Sequence, residues 1–134
     1  MRILTLKRPK KPSRTVAVTR QAKGEGRYVR QQGSPGRYGH VAMVVEPDID
    51  GAFTLEWAVD PSLVPEDYIA AVAKGIYSCC EQGGPFAGCA FVRTRVRVID
   101  GSWHAVDSNE LSYQIAAAEA FAQALESGGL RDAA

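Results

Sequence analysis

The sequence predicts an α/β protein, more narrowly an α+β two-layer sandwich in which two helices cover one face of a sheet, with the order β-β-β-α-β-α. Three observations carry this. Short segments between residues 15 and 59, and again from Phe91 to Ile99, show the apolar alternation of strands. Two longer segments, from Pro65 to about Glu81 and from Ser108 to about Glu126, carry apolar residues at helical spacing. Glycine- and proline-rich turns separate these pieces. With 134 residues, 46% hydrophobic and 23% charged, the chain can bury one moderate core. One domain is expected over residues 15–130, after a flexible basic arm at 1–14 and before a short tail at 131–134.

The net charge of +1 hides an asymmetry. Residues 1–40 hold eleven Lys/Arg against one acid, and the remainder hold five against fourteen, so the two parts carry +10 and −9. In the arm, Lys7, Arg8, Lys10, Lys11 and Arg14 are interrupted by Pro9 and Pro12, a pattern for an extended polycation that phosphates could neutralise or water simply solvate.

The elements follow in order. Thr15–Gln21 alternates and reads as the first strand; Lys23-Gly24-Glu25-Gly26 reads as a turn, and Arg27–Gln32 as a second extended piece. Gly33–His40 reads as a glycine-rich loop that matches neither a phosphate-binding P-loop nor a dinucleotide fingerprint. It suits either close approach to a sugar-phosphate backbone or a long hairpin connection. Val41–Val45 and Ala52–Val59 are expected to pair as a hairpin around Asp50-Gly51. Pro65, Glu66 and Asp67 open a helix whose buried stripe is Ile69, Val72, Ile76, Tyr77 and Cys80, stopped by Gly83-Gly84-Pro85. In Phe91–Ile99 the arginines 93, 95 and 97 alternate with valines and threonine. They share one face at ~6.6 Å spacing, ready for cross-strand acids such as Glu46 and Glu56 or for phosphates.

The last helix is expected to bury Leu111, Ile115, Ala118, Ala122 and Leu125 and to end at Gly128-Gly129. Before it lies the turn Gly101–Glu110, in which Asp107 and Glu110 have capping-box spacing. Trp103 and His104 sit at its tip, either turned outward for contact or folded back and solvated. No apolar run is long enough to span a membrane, and the N-terminus lacks a secretory pattern, so a cytoplasmic protein is expected. Cys79, Cys80 and Cys89 have neither disulfide-framework nor zinc spacing. His40 and His104 are the only histidines, and no nucleophile–base–orienter arrangement is evident. No catalytic residue, metal or cofactor is therefore expected.

Several motifs occur in an ordered series: Gly26-Arg27-Tyr28-Val29-Arg30-Gln31, Arg37-Tyr38-Gly39-His40-Val41, Asp67 to Ile76, Gly84-Pro85-Phe86-Ala87-Gly88, and Asp100 to Leu111. Over roughly residues 24–126 this series resembles domain IV of elongation factor G, the ribosomal translocase. The resemblance implies the fold shared with a small-subunit ribosomal protein and the RNase P protein subunit, including a left-handed βαβ crossover. It also implies a non-enzymatic module contacting the small ribosomal subunit, its rRNA and the tRNA/mRNA region through two tip loops. These loops map to Gln32, Gly33, Ser34, Pro35, Gly36 and Arg37, and to Ser102, Trp103 and His104, with His104 on the family's tip histidine. The chain departs from the family where Ser34 and Pro35 replace a central glycine and arginine of the first loop, the arginine falling at Arg37 instead. It also reads Val18-Thr19-Arg20-Gln21 where the family has Tyr-Arg-Glu-Thr, and it contains no GTPase motif. A protein-interaction module that kept the fold without RNA contact is the alternative reading.

Overall fold

The computed structural model describes residues 2–30, 32 and 35–133. In chain order the elements are β1 (Arg2–Thr5), β2 (Arg14–Val18), β3 (Ala22–Arg30), β4 (Arg37–Pro47), β5 (Phe53–Trp57), a 3-10 turn at Glu66–Tyr68, α1 (Ile69–Cys80), β6 (Cys89–Phe91), β7 (Thr94–Ser102), α2 (Glu110–Gly128) and β8 (Leu130–Asp132). The larger sheet has the order β1-β5-β7-β4-β3, and a smaller one has the order β6-β2-β8. In the larger sheet only β5 and β7 run parallel, with α1 in the connection between them. This confirms the α/β class with its two helices, and the tertiary arrangement revises several details.

The segment Lys23–Gly26 is not a turn but part of β3. Gly24 and Gly26 face α2 so closely that a Cβ on either would collide with the backbone carbonyl of Ala120 or Ala116. The helix answers with small residues: Ala116, Ala117, Ala120 and Ala124 are fully buried. This revises the predicted stripe of α2. Leu111 is exposed, and only Leu125 of the five expected residues is buried, because a small-on-small seam lets backbone lie on backbone at a distance large aliphatic side chains would forbid.

Val41–Val45 and Ala52–Val59 do not pair. β4 lies between β3 and β7, while β5 lies between β1 and β7, so β7 separates the two expected partners. The strand expected over Phe91–Ile99 is broken. Its first part joins the smaller sheet beside β2, and at Arg93, which adopts the left-handed region (φ 47°), the chain crosses to the larger sheet. Buried Thr94 secures the crossing, accepting from Val18 N at 3.3 Å and donating to Val92 O at 2.9 Å.

The break also divides the arginine row. Arg95 and Arg97 remain on the open face: Glu46 Oε1 lies 3.4 Å from Arg95 Nε and 3.0 Å from Arg97 Nη1, and Glu56 Oε2 lies 2.9 Å from Arg97 Nε. The cross-strand acids named from sequence thus engage both arginines.

Parts of both the expected flexible arm and the expected tail form strands. Arg2–Thr5 of the expected flexible arm forms an edge strand antiparallel to β5, and buried Leu6 donates its N–H to Phe53 O at 2.8 Å. Its Ile-Leu-Thr-Leu stretch outweighs the basic residues that follow. In the expected tail, Leu130–Asp132 pairs with β2, and Asp132 Oδ1 sits 3.0 Å from Arg14 Nη2. β2 itself leaves the larger sheet and packs its valines into the core beside Phe91.

The three cysteines are buried. Desolvation pushes the Cys79 thiol up to about 11 and Cys80 up to about 12, so neither is a thiolate near neutrality. A water-soluble thiol reagent at neutral pH is therefore expected to label the native protein slowly and all three cysteines at once after denaturation. Rapid native labelling of Cys79 or Cys80 would contradict this.

Candidate functional site

One end of the larger sheet, where β3 turns into β4 and β7 runs toward α2, brings the two predicted loops together. Asp107 joins them: its Oδ1 accepts from Gly36 N at 3.0 Å and its backbone carbonyl from Tyr38 N at 2.9 Å. Tyr38 and Ser108 also form an isolated parallel bridge. The Tyr38 and His104 rings lie tilted with centroids 5.7 Å apart, and His104 Nδ1 is 3.9 Å from Asp107 Oδ2.

The second loop is closed internally. His104 N donates to Ser108 Oγ at 2.8 Å, and Ser108 N donates to His104 O at 2.9 Å. From the helix side, fully buried Tyr113 donates its hydroxyl to Ser102 O at 2.6 Å. Burial pushes that phenol up to about 12, so it remains a protonated donor near neutrality. The cap of α2 is not Asp107 but Asn109, whose Oδ1 accepts from Ser112 N at 2.9 Å. Asp107 is committed to the other loop and is not spare for a capping box.

Behind the loops runs a chain of side-chain hydrogen bonds across three strands. Tyr38 Oη and His40 Nδ1 each lie 2.7 Å from Ser102 Oγ, and His40 Nε2 lies 2.8 Å from Glu25 Oε2. The bond with His40 holds the Glu25 carboxyl below its ordinary value. This Ser–His–Glu series was not legible in the sequence, because Ser102 and His40 meet only across the β4–β7 ladder. Ser102 Oγ is held on two sides, by a phenol and an imidazole, and serves as a rivet between strands. Arg27 lies over the Tyr38 ring at 5.8 Å on the same open face.

Of the predicted contact residues, Gln32, Pro35, Arg37, Trp103 and His104 are exposed, Ser102 is half-buried and Gly36 is buried; Gly33 and Ser34 lie outside the described residues. Trp103 keeps 42% of its surface accessible, which leaves an aromatic face open to water. Strand alternation turns Arg37 to the opposite face from Tyr38 and its neighbour His104, so the guanidinium and the imidazole lie on two sides of one tip.

The family model for elongation factor G, domain IV, matches residues 14–129. The chain belongs to the elongation factor G domain IV family. Elongation factor G of Fervidobacterium nodosum is 39% identical over 112 residues, covering 83% of this chain and 16% of that protein. A crystal structure from Thermus thermophilus superposes with a TM-score of 0.76 at 31% identity, covering 92% of this chain and 18% of that one. The chain thus spans a small part of the length of these relatives.

The domain IV match begins at the first residue of β2, so β1 lies outside it. Within the match, sequence reasoning overlooked Tyr38, Asp107, Ser108 and Tyr113 as organisers of the tip. Only Tyr38 left a signal, sharing a period-two face with His40. No helix among the described residues is long and apolar enough to cross a membrane.

Proposed function

We propose that this elongation factor G domain IV member is a non-catalytic RNA-docking module. It contacts the decoding region of the small ribosomal subunit, including rRNA and the tRNA/mRNA region, through its two tip loops. The observation that carries the reading is the joining of the loops by Asp107, which bonds Gly36 and Tyr38 of the first loop to the second and brings two sequence-distant segments to one tip. That tip bears exposed Trp103 and His104, suited to stacking on unpaired bases, and cations suited to phosphates. The basic arm is anchored elsewhere. Ser13 N and Arg14 N donate to Gly88 O beyond the C-terminal end of α1, away from the tip, so the arm and the loops would meet different parts of a partner.

The open-face acids Glu46 and Glu56 are already paired with Arg95 and Arg97, which leaves less acidic surface for the alternative protein-docking role. The test is binding of the purified chain to small ribosomal subunits across a salt series. Binding is expected to weaken steeply with salt, and Arg37→Ala combined with His104→Ala is expected to weaken it at least about tenfold, or ~1.4 kcal/mol. Absence of binding at low salt, or binding indifferent to salt and to both substitutions, would overturn the reading.

A further inference from the structure

The register of the β3–β4 hairpin places Arg30 directly opposite Arg37 in its last described pair. Like charges facing each other across an antiparallel ladder repel and destabilise the pairing. Elsewhere in the sheet, Arg95 and Arg97 are neutralised by Glu46 and Glu56. Here, among the described residues, neither arginine lies within ion-pair distance of a carboxylate. Arg30 is nevertheless held in place. Its guanidinium stacks over the Tyr28 ring at 4.9 Å, and its Nη1 donates to Val29 O at 3.3 Å. Tyr28, two residues before Arg30, lies on the same face as Arg30 and Arg37, and the three side chains line one cleft of about 420 Å³.

We propose that Arg30 and Arg37 form a phosphate clamp: one phosphodiester anion of RNA sits between the two guanidiniums, and Tyr28 is a positioning residue that presents Arg30. A phosphodiester bridging the pair through its two non-bridging oxygens would turn their repulsion into charge-assisted hydrogen bonds from both guanidiniums. The clamp lies on the opposite face of the hairpin from Tyr38 and His104, so it adds a contact on the other side of the tip. Its assignment to RNA rests on the function proposed above, whereas its affinity for phosphate does not.

The first arm of the test therefore uses inorganic phosphate alone. The arginine Nε–Hε resonances of the whole chain are followed by NMR during titration with phosphate, against chloride at equal ionic strength. Saturable shifts of Arg30 and Arg37 are expected; the Arg37 shift is expected to vanish in Arg30→Ala, and both shifts to weaken in Tyr28→Leu. Shifts no larger than those of Arg131 would overturn the clamp. The second arm measures the salt dependence of binding to small ribosomal subunits for Arg30→Ala, Arg37→Ala and the double variant. If one phosphate is shared, either single substitution lowers the logarithmic salt slope by about 0.7–0.9, and the double variant lowers it no further. Additive losses would mean two separate contacts and would overturn the shared clamp. Phosphate binding without ribosomal binding would uphold the clamp and overturn the RNA reading, so the two failures are distinguishable.

Discussion

Gly26→Ala is expected to destabilise the protein by about 3 kcal/mol, at the upper end of ordinary overpacking costs. A Cβ at Gly26 would fall onto the carbonyl oxygen and carbon of Ala116 and crowd Ala120 N, all of them backbone atoms that cannot swing aside. Relief requires α2 to lift off β3, which opens the Ala116–Ala120–Ala124 seam along the helix. The consequence reaches the tip. The N-terminal turn of α2 holds Asn109 and Tyr113, and Tyr113 is bonded to Ser102 O, so displacement of the helix shifts the second loop relative to the first. Urea denaturation followed by tryptophan fluorescence measures the stability change. Gly83→Ala serves as comparison: Gly83 has open space around it but φ 91°, so it is expected to cost only about 1 kcal/mol of backbone strain. Equal midpoints for Gly26→Ala and wild type would refute the seam as the determinant of helix position.

Phe121→Ala is expected to cost about 4 kcal/mol, a large share of the stability of a domain this size. Phe121 is fully buried, and its ring meets Phe91 at 5.4 Å, Phe53 at 6.2 Å and Phe86 at 6.5 Å. Those neighbours belong to β6 of the smaller sheet, β5 of the larger sheet and the loop after α1. Truncation leaves a cavity where both sheets and the helix layer converge, and the surrounding strands cannot close it without breaking their ladders. The same denaturation experiment reads the loss. Leu111→Ala, at a position 47% exposed, should stay within about 0.5 kcal/mol of wild type, although periodicity alone ranks Leu111 as core. A Phe121→Ala cost below that of an exposed leucine would disprove the convergence of the core on this ring.

These two predictions also mark where sequence patterns are informative. The alternation at Phe53, Leu55 and Trp57 identifies a half-buried strand and its inward face, since period two is a local property of the backbone. α1 is likewise legible: Ile69, Val72, Ile76 and Cys80 of its expected stripe are buried, as a 3.6-residue period requires, and Tyr77 is half-buried. α2 is not, because the seam of its buried face against Gly24 and Gly26 is made of alanines. Hydrophobicity ranks alanine below Leu111 and Ile115, which stay outside the buried face, while the packing geometry reverses the ranking.

The tip shows the same division. The first loop is recognisable from Pro35-Gly36, whereas Asp100-Gly101, which reads as a turn, lies within β7 paired to Ala42 and Val41; the ordered motifs of both loops carry the family resemblance. Their union is not recognisable, since Gly36 and Asp107 are 71 positions apart. A reciprocal spacing such as that of Asp107 and Glu110 is ambiguous until one knows which amide the carboxylate meets.

Local chemistry thus set the two helices, the inward face of β5 and the strongly asymmetric charge, because each depends on neighbours within a few residues. Tertiary contact decided which strands are partners, which face of α2 is buried, where the strand after α1 breaks, and which arginines find acids. Those outcomes depend on pairings between residues far apart in the chain. Their energies come from excluded volume between backbones and from charges brought opposite one another by register, neither of which is written in any single stretch of sequence.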